Sequence, residues 1–587
     1  MTSYRRDAAY QVRVDAAAAA KDRTHPNQRA NGDEQRYAGA NYPMCFTKGL
    51  RHDATTGLIV NREDFEAFRR AIDEGYIDAF TAEVRASPDK ARAWEAPTAG
   101  VVYELEGPDP QAVTMAPAPP LGSDELAYEM AEVYELALLR DVPFTDFVDP
   151  TPNAAVSSAV ANLAALPYAA NGFSNRPRKT VGGNVTAQTL FRGSSPGVEV
   201  GPYLSQFMLI GNDQPEPGGA GIAGGFIQYG VLQISQRVPV ATPQDYMIDW
   251  PDWLRVQNGE NVRDNSVLFE DSSVVPRRFM TFPRDLATYV HDDALYEAYL
   301  NACLILLSMG APFDQGFANL SGQGNYFLNS LDTNGNFFDN LESHPREAGG
   351  FALYGGPHIL TLVTEVATRA LKAVRYQKFN NHIRLRPEAL AGRIEAAGAI
   401  QTAFPHVGTA FTDLEAAIAP TVAAVRAANA TGTALLPMAF QEGSPMHPSY
   451  GAGHATVAGA CVTILKAFFD TDAVFVRRGG SQDAFARFQT GDTAVQYEPD
   501  ATGATLVPTT GGDFLTLEGE LNKLAANISI GRNMAGVHYY SDYYDSLRMG
   551  EEIAIAILEE QALCYPTDPF VLTVPTFDGD VVRIGAR

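Results

Sequence analysis

Cysteine is scarce in this sequence. The 587 residues include only four cysteines, and no two of them form a CxxC motif. Cys303 and Cys461 lie in apolar, helix-like runs, where a cysteine usually acts as a small buried hydrophobic residue. The sequence therefore predicts neither a disulfide framework nor a zinc site.

Basic residues are too few to balance the acidic ones. Lysine and arginine total 44 against 69 aspartates and glutamates, which gives a formal net charge of −25. An acidic surface repels nucleic acids and anionic membranes, so neither is predicted as a partner. A local cluster of basic side chains in such a chain would be an exception that needs a reason.

Long apolar runs are missing as well. No stretch reaches the roughly 20 residues of a membrane-spanning helix, and the N-terminal "MTSYRRDAAYQVRVDAAAAAKDR" contains no apolar core of a signal peptide. The default prediction is a cytoplasmic protein. Because internal repeats, heptads and linker-like breaks are also lacking, one domain over residues 1–587 is the simplest organisation.

Helical periodicity dominates what is present. Several of the predicted helices are apolar on more than one face, which is typical of the interior of a large helical bundle. The predicted fold is mainly α, with N-terminal helices and long loops over residues 1–280, a helical core over 281–587 and a few short β-hairpins. The tail "FVLTVPTFDGDVVRI" predicts one such hairpin, turning at Asp578-Gly579. The predicted helices are 61–84, 123–139, 154–166, 287–309, 357–379, 411–429, 454–469, 517–534 and 541–563.

Irregular segments separate these helices. Residues 95–122 are rich in proline, 171–225 are rich in glycine and proline, and 470–515 mix charges with glycine and threonine. Long loops in an ordered protein usually build sites or interfaces.

The stretch "QKFNNHIRLRPE" brings two basic residues to a helix boundary. Lys378 closes a predicted helix, and Arg386 immediately precedes Pro387. Proline disfavours helical geometry in the preceding residue, so Arg386 is predicted to lie at a boundary. The alternative is that both are solvated surface charges.

The stretch "HPSYGAGHA" places His447 and His454 seven positions apart at the start of a predicted helix. Unpaired N–H groups and the positive end of the macrodipole make a helix start a site for anions. The alternative is structural: one histidine caps a loop and the other packs on the helix.

The stretch "GRNMAGVHYYSD" contains Arg532 and His538, six positions apart. One continuous helix would aim these side chains about 120° apart. They can converge if one helix ends near Gly536 and the next begins near His538. Asp542, four residues further on, is then placed to orient the imidazole. The alternative for His538 is a surface or capping role.

Three motifs follow one another along the chain: Lys-x7-Arg-Pro, His-x6-His across "SYGAG", and Arg-x5-His-x3-Asp. In this order they resemble the signature of the vanadium-dependent haloperoxidases. The acid phosphatases of the same superfamily share this active-site architecture. Four longer stretches also look like stretches of this family: "FTKGLRHDATTGLI", "GPYLSQFMLIGN", "ISQRVPVATPQDYMIDWPDWLRVQNG" and "QEGSPMHPSYGAGHA". In size and layout the chain is most similar to the bromoperoxidase branch.

The resemblance implies a vanadate cofactor and the residues that hold it. Lys378, Arg386 and Arg532 would hydrogen-bond its equatorial oxygens, together with the backbone N–H of Gly453. The sequence departs from the family at Ala452, where a serine hydroxyl usually bonds the oxyanion. One hydrogen bond to a charged group is worth roughly 1.5–3 kcal/mol, so weaker vanadate affinity is expected.

The histidines receive separate roles from the resemblance. His538 would bond to vanadium, and His454 would be the acid/base group on the opposite side. His447 matches a second histidine characteristic of the bromoperoxidase-type members. Lys378 would also polarise bound peroxide.

The implied activity is oxidation of a halide, with bromide favoured in this branch, by hydrogen peroxide to a hypohalous-acid equivalent that halogenates small organic acceptors. Homo-oligomers, as dimers or larger shells, and a structural calcium ion are also implied, with Asp332 and Asp339 as candidate ligands. Two alternatives stay open. An acid phosphatase would use His538 as nucleophile and His454 as acid, whereas a non-catalytic relative would only bind oxyanions.

Overall fold

The computed structural model describes residues 2–80, 91–148, 151–212, 221–263, 276–314, 316, 352–353, 355–479, 483–565 and 570–585. In this part of the chain the α-helices are α1 (Thr2–Asp22), α2 (Asp33–Arg36), α3 (Arg62–Glu74), α4 (Asp124–Leu138), α5 (Ala154–Ala164), α6 (Pro167–Ala170), α7 (Trp250–Gln257), α8 (Pro283–Asp292), α9 (Glu297–Met309), α10 (Gly356–Tyr376), α11 (Pro387–Glu395), α12 (Ala397–Ala403), α13 (Ala410–Ala417), α14 (Ala419–Ala428), α15 (Gly453–Phe468), α16 (Leu517–Met534) and α17 (Tyr540–Ala562). A π-helical turn, Gln377–His382, follows α10 directly.

The strands are short and antiparallel. They are β1 (Phe226–Tyr229), β2 (Leu232–Ser235), β3 (Val238–Pro239), β4 (Arg277–Arg278), β5 (Val474–Arg477), β6 (Ala484–Ala486), β7 (Thr493–Pro499), β8 (Leu506–Thr510), β9 (Val571–Pro575) and β10 (Val581–Gly585). Strands β1–β2, β3–β4 and β9–β10 form pairs, and a four-stranded sheet has the order β6-β5-β7-β8. The predicted C-terminal hairpin is confirmed, with Val581 opposite Pro575.

Most predicted helix positions agree with the structure to within a few residues. Asn61 caps α3 by accepting a hydrogen bond from the Glu63 N–H, and Ser123 caps α4 through the Leu126 N–H. The prediction that the first of these helices continues to residue 84 is wrong. The helix ends at Gly75, which adopts φ 72°, a left-handed conformation that glycine tolerates.

Three further predictions are corrected by the structure. The predicted helix 287–309 is two helices, α8 and α9, and Asp293 begins the break between them. The predicted helix 411–429 is also divided, into α13 and α14; Pro420, near the start of α14, removes a donor that a continuous helix would need. The segment 470–515, predicted to be irregular, contains the four-stranded sheet, because its strands are too short for a clear alternating pattern.

Helix α15 lies at the centre of the molecule. Every residue from Ala455 to Phe468 is buried, and the helix packs against α10, α16 and α17. Two glycines allow α15 and α17 to approach closely. A Cβ on Gly459 would lie 2.0 Å from the Leu547 carbonyl oxygen, and one on Gly550 would lie 2.1 Å from the Thr456 carbonyl oxygen. The N-terminus of α15 is thereby fixed in the interior.

One hydrophobic cluster includes buried residues from Tyr37 to Ile584, so elements from both halves of the chain share a core. Among the helices described, none is long and apolar enough to cross a membrane.

Candidate anion-binding site

A cavity of about 220 Å³ opens beside the N-terminus of α15 and the link between α16 and α17. Five residues predicted from the sequence line it: His447, Gly453, His454, Arg532 and His538. The structure therefore brings together residues that are up to 91 positions apart in the chain.

His538 lies in the link that the sequence predicted. Helix α16 ends at Met534, Gly536 turns the chain with φ 85°, and α17 begins at Tyr540. The His538 Nδ1 is 2.7 Å from Asp542 Oδ2. Because a carboxylate accepts, Nδ1 carries the hydrogen and Nε2 keeps its lone pair, the form in which histidine binds a metal. Burial, followed by the charge of Arg386, holds the pKa of His538 well below its usual value.

Asp542 is itself held by several donors. Arg384 donates to Oδ1 at 3.0 Å, and the Tyr539 N–H and the Ser449 hydroxyl donate to Oδ2. Burial opposes ionisation of Asp542, but the hydrogen bond from His538 and the charge of Arg384 hold its pKa well below the usual range. The carboxylate is therefore a fixed anion behind His538.

Glu129 completes this buried network from α4. It pairs with Arg384, and its Oε2 accepts from the Ser541 hydroxyl at 2.7 Å. Neither Glu129 nor Arg384 was singled out by the sequence reasoning. A glutamate in an apolar helix is a usable signal, since burial of a charge requires a partner.

Arg386 bridges the two histidine-bearing segments. Its NH1 donates to His538 Nε2 at 2.9 Å and to the Val537 carbonyl at 2.7 Å. Its NH2 donates to His447 Nδ1 at 2.8 Å, and its Nε donates to the His447 carbonyl at 2.9 Å. Burial, together with the nearby charge of Arg532, lowers the pKa of Arg386 to about 9.

Lys378 lies in the π-helical turn and is fully buried. Its Nζ donates to the carbonyls of Pro448 at 2.7 Å and Ser449 at 3.0 Å. Burial and then the charges of Arg386 and Arg375 hold its pKa well below normal. Lys378 and Arg386 are not among the described residues that line the cavity; both are hydrogen-bonded to the segment that forms its wall.

His454 is paired with a carboxylate that the sequence reasoning missed. Its Nε2 is 2.9 Å from Asp293 Oδ1, so Nε2 carries the hydrogen. No hydrogen-bond partner for Nδ1 occurs within the described residues, and Nδ1 is the nitrogen left for a molecule in the cavity. Asp293 was missed because its segment was predicted to be helical. The break between α8 and α9 brings it to the site.

Two arginines on the cavity wall have unsatisfied donors. Within the described residues, Arg532 donates through NH1 to the Val290 carbonyl at 2.6 Å, whereas its buried Nε has no partner. Arg375 donates to Glu95 at 2.6 Å, whereas its buried NH1 has none. Arg375 was also missed, although it precedes Lys378 by three residues and so shares its helix face. Buried donors without acceptors fit an anionic ligand.

The start of α15 offers the same chemistry. Its N-cap residue is Ala452, whose side chain accepts no hydrogen bond, while the Ala452 N–H donates to the Ser546 hydroxyl at 2.8 Å. The first N–H groups of a helix have no partner within it. Gly453 and His454 line the cavity at this end, so a tetrahedral oxyanion fits the donors that are present.

Comparison with known proteins shows which family has a similar sequence. The family model described as the VCPO second helical-bundle domain matches residues 422–564. Vanadium-dependent bromoperoxidases from Corallina officinalis and Corallina pilulifera are each 42% identical, over 99% of this chain and 98% of their own length. The chain belongs to the vanadium-dependent bromoperoxidase family. The predictions of the family, of a mainly helical fold and of a peroxidase enzyme are thereby confirmed.

Two proteins from Ascophyllum nodosum extend the comparison. A vanadium-dependent bromoperoxidase is 33% identical over 83% of this chain and 77% of its own length. The solved homohexameric structure of a second vanadate-dependent bromoperoxidase superposes with a TM-score of 0.76 at 25% identity, covering 99% of this chain and 90% of that one.

Proposed function

We propose that the protein is a vanadate-dependent haloperoxidase that oxidises halide, preferably bromide, with hydrogen peroxide. The product is a hypohalous-acid equivalent that halogenates small organic acceptors. The observation that carries the proposal is the His538 ring, fixed through Nδ1 by Asp542, with Nε2 facing a buried arginine beside a helix N-terminus. The names of the relatives supply the halide and the cofactor.

The residues that would hold vanadate are Lys378, Arg386, Gly453, Arg532 and His538. His538 Nε2 would be the ligand atom, because it carries no hydrogen and its lone pair, which accepts from Arg386 NH1 here, can bond to a metal instead. Arg532 would contribute a buried donor without a partner among the described residues, and Gly453 would contribute a backbone N–H at the start of α15. Lys378 and Arg386 would contribute positive charge. When bound, vanadate would act as a Lewis acid toward peroxide, which Lys378 would help to polarise.

Proton transfer falls to His454. Oxidation of a halide by hydrogen peroxide consumes one proton and releases water, so the site must both accept and return protons. Burial is the largest influence on His454 and lowers its pKa, which leaves the ring neutral at neutral pH. With Nε2–H held by Asp293, Nδ1 can take a proton from peroxide and return it to the departing oxygen.

The test compares two reactions in the same protein. Vanadate-loaded protein should brominate a phenolic dye in the presence of peroxide and bromide. Protein without vanadate should not. Rapid hydrolysis of nitrophenyl phosphate without any vanadate-dependent bromination would favour the phosphatase alternative, and absence of both reactions would favour a non-catalytic oxyanion-binding protein.

Phosphate should compete with vanadate for this site. Both anions are tetrahedral and would meet Arg386, Arg532 and the start of α15. Vanadate-free protein that is reactivated at fixed vanadate should regain progressively less bromination activity as phosphate rises. Equal reactivation at every phosphate concentration would show that the two anions bind elsewhere or independently.

Ala452→Ser should tighten vanadate binding. A hydroxyl at the N-cap of α15 adds one hydrogen bond to a charged group, worth roughly 1.5–3 kcal/mol, which is about tenfold or more in affinity. Equilibrium dialysis measures the change. Ala396→Ser is the matched control, since Ala396 is also an N-cap residue without a side-chain cap and lies outside the cavity. Equal affinity in both variants would refute the expectation.

Glu129→Gln should weaken vanadate binding by about tenfold, a change typical of residues that orient a metal ligand. Without the Glu129 charge, Asp542 is the remaining carboxylate that pairs with Arg384. Arg384 should then pull the Asp542 carboxylate away from its hydrogen bond with His538. Glu132→Gln is the control. Glu132 is also buried on α4, but it pairs with Arg178 at 2.9 Å. Equal affinities in the two variants would contradict the positioning role of Glu129.

Further parts of the proposal concern the whole chain. We propose a single domain and a homo-oligomer, supported by the continuous hydrophobic cluster and by the homohexameric relative. Asp332 and Asp339, the calcium candidates, lie outside the described residues. Within the described residues there is no cluster of three metal-ligating side chains. The cytoplasmic location stays a prediction from the sequence.

A further inference from the structure

We propose that Tyr450 is a positioning residue, whose hydroxyl fixes the start of α15 relative to His538. The inference rests on the proposed function, in which His538 and the Gly453 N–H hold one anion. Tyr450 is fully buried and lies three residues before Gly453. It is not among the described residues that line the cavity. It would therefore act through the backbone of the segment 449–452 and not by touching the anion.

One face of α17 holds this segment. Three of its side chains accept hydrogen bonds from three residues of the segment: Asp542 from the Ser449 hydroxyl, Asp545 from the Tyr450 hydroxyl at 2.6 Å, and Ser546 from the Ala452 N–H at 2.8 Å. Positions three and four apart share one face of a helix. Because α17 begins two residues after His538, the same helix fixes the proposed vanadium ligand and the segment that leads into α15.

The Tyr450 hydroxyl also contacts the proline-rich segment. It lies 2.6 Å from the Ala116 carbonyl oxygen, so this oxygen and Asp545 share its hydrogen. Asp545 is held in turn by Arg176, whose Nε donates to it at 2.5 Å and whose NH1 donates to Glu125 at 2.8 Å. Loss of the hydroxyl would leave a buried carboxylate with one donor fewer and would release the segment from α17 at this point.

Gly451 packs closely between α17 and the proline-rich segment. A Cβ on Gly451 would lie 2.3 Å from the Ser546 hydroxyl oxygen and 2.7 Å from the Met115 sulfur. The next residue, Ala452, is continuous with α15, since its carbonyl accepts from both the N–H and the hydroxyl of Thr456 at 3.0 Å. A shift of the segment at Tyr450 would therefore move the first N–H groups of α15.

The alanine at position 452 makes this positioning more important. Its side chain offers no hydroxyl to an anion, so binding at the start of α15 depends on the backbone N–H of Gly453. A donor contributes fully only when it is held within about 0.5 Å of the productive geometry. The contacts of Tyr450 would supply that precision.

The experiment compares Tyr450→Phe with Tyr134→Phe by equilibrium dialysis against vanadate. Tyr134 is also fully buried, its hydroxyl donates to the Ala434 carbonyl at 2.5 Å, and it is not among the described residues that line the cavity. We expect Tyr450→Phe to bind vanadate about tenfold more weakly, as is typical of residues that orient a metal site. Tyr134→Phe, which also loses one buried hydrogen bond, should keep the native affinity, so a general loss of stability cannot explain the difference.

Amide hydrogen exchange in vanadate-free protein gives a readout that does not need the cofactor. The Ala452 amide should exchange about fivefold faster in Tyr450→Phe than in Tyr134→Phe, which corresponds to roughly one hydrogen bond. Equal exchange in the two variants would overturn the proposal, and so would equal vanadate affinity in Tyr450→Phe and the native chain. If the native chain bound no vanadate, the proposed function would fail, whereas the exchange comparison would still confirm or overturn the positioning role of Tyr450.

Discussion

His538→Ala should abolish peroxidase activity and remove tight vanadate binding. Among the described residues that line the cavity, His538 is the histidine whose ring is fixed by a buried carboxylate through Nδ1 while Nε2 retains a lone pair. Alanine removes the proposed ligand atom and leaves Asp542 without the imidazole that it orients. The measurement is vanadium per chain by elemental analysis after dialysis, with the bromination rate of the same sample.

The control for this variant is His406→Ala, which also removes one histidine. His406 lies in a short turn, Pro405–Val407, outside the cavity. It should keep one vanadium per chain and native activity. If the His538 variant retained stoichiometric vanadium after dialysis and brominated normally, the ligand assignment would be wrong.

His454→Ala should reduce the bromination rate far more than His447→Ala. A lost general acid/base typically costs roughly 10²–10⁴-fold. Among the described residues, His454 is the cavity histidine whose acceptor nitrogen, Nδ1, has no hydrogen-bond partner, whereas the Nε2 of His447 lies 3.6 Å from Glu95. The Nδ1 of His447 instead accepts a hydrogen bond from Arg386. Loss of His447 would therefore leave Arg386 without one acceptor but would not remove His454, the proposed acid/base group. Vanadium should remain bound in both variants, because the proposed ligand atom belongs to His538.

Steady-state bromination with bound vanadium measured in parallel separates the two histidines. Asp293→Asn tests the same dyad through its other member, since an amide cannot hold the Nε2–H as a carboxylate does. Near-native turnover of the His454 variant at full vanadium loading would show that His454 is not the acid/base group. His447 would then become the candidate.

The link between α16 and α17 shows how much the sequence could predict. The spacing of Arg532 and His538 requires a break in the helix if the two are to converge, and Gly536 supplies it with φ 85°. Asp542, four residues after His538, could likewise be foreseen as its partner. Local spacing and helix geometry decide these contacts, so they can be read from one short stretch.

Asp293, Arg375 and Glu129 could not be predicted in this way. Asp293 reaches His454 because of a helix break that periodicity did not reveal, and Glu129 reaches the site across 255 positions of sequence through Arg384. Arg375 differs from a solvated arginine only by its burial. Such contacts depend on how distant helices pack, which a single sequence does not specify.

The most direct test of the central claim is a titration of vanadate-free protein with vanadate, followed by bromination of a dye at fixed peroxide and bromide. The account predicts that activity rises with added vanadate, saturates at one vanadium per chain, and is absent from the His538→Ala variant throughout. Full activity without vanadium, or equal reactivation of the His538 variant, would contradict it.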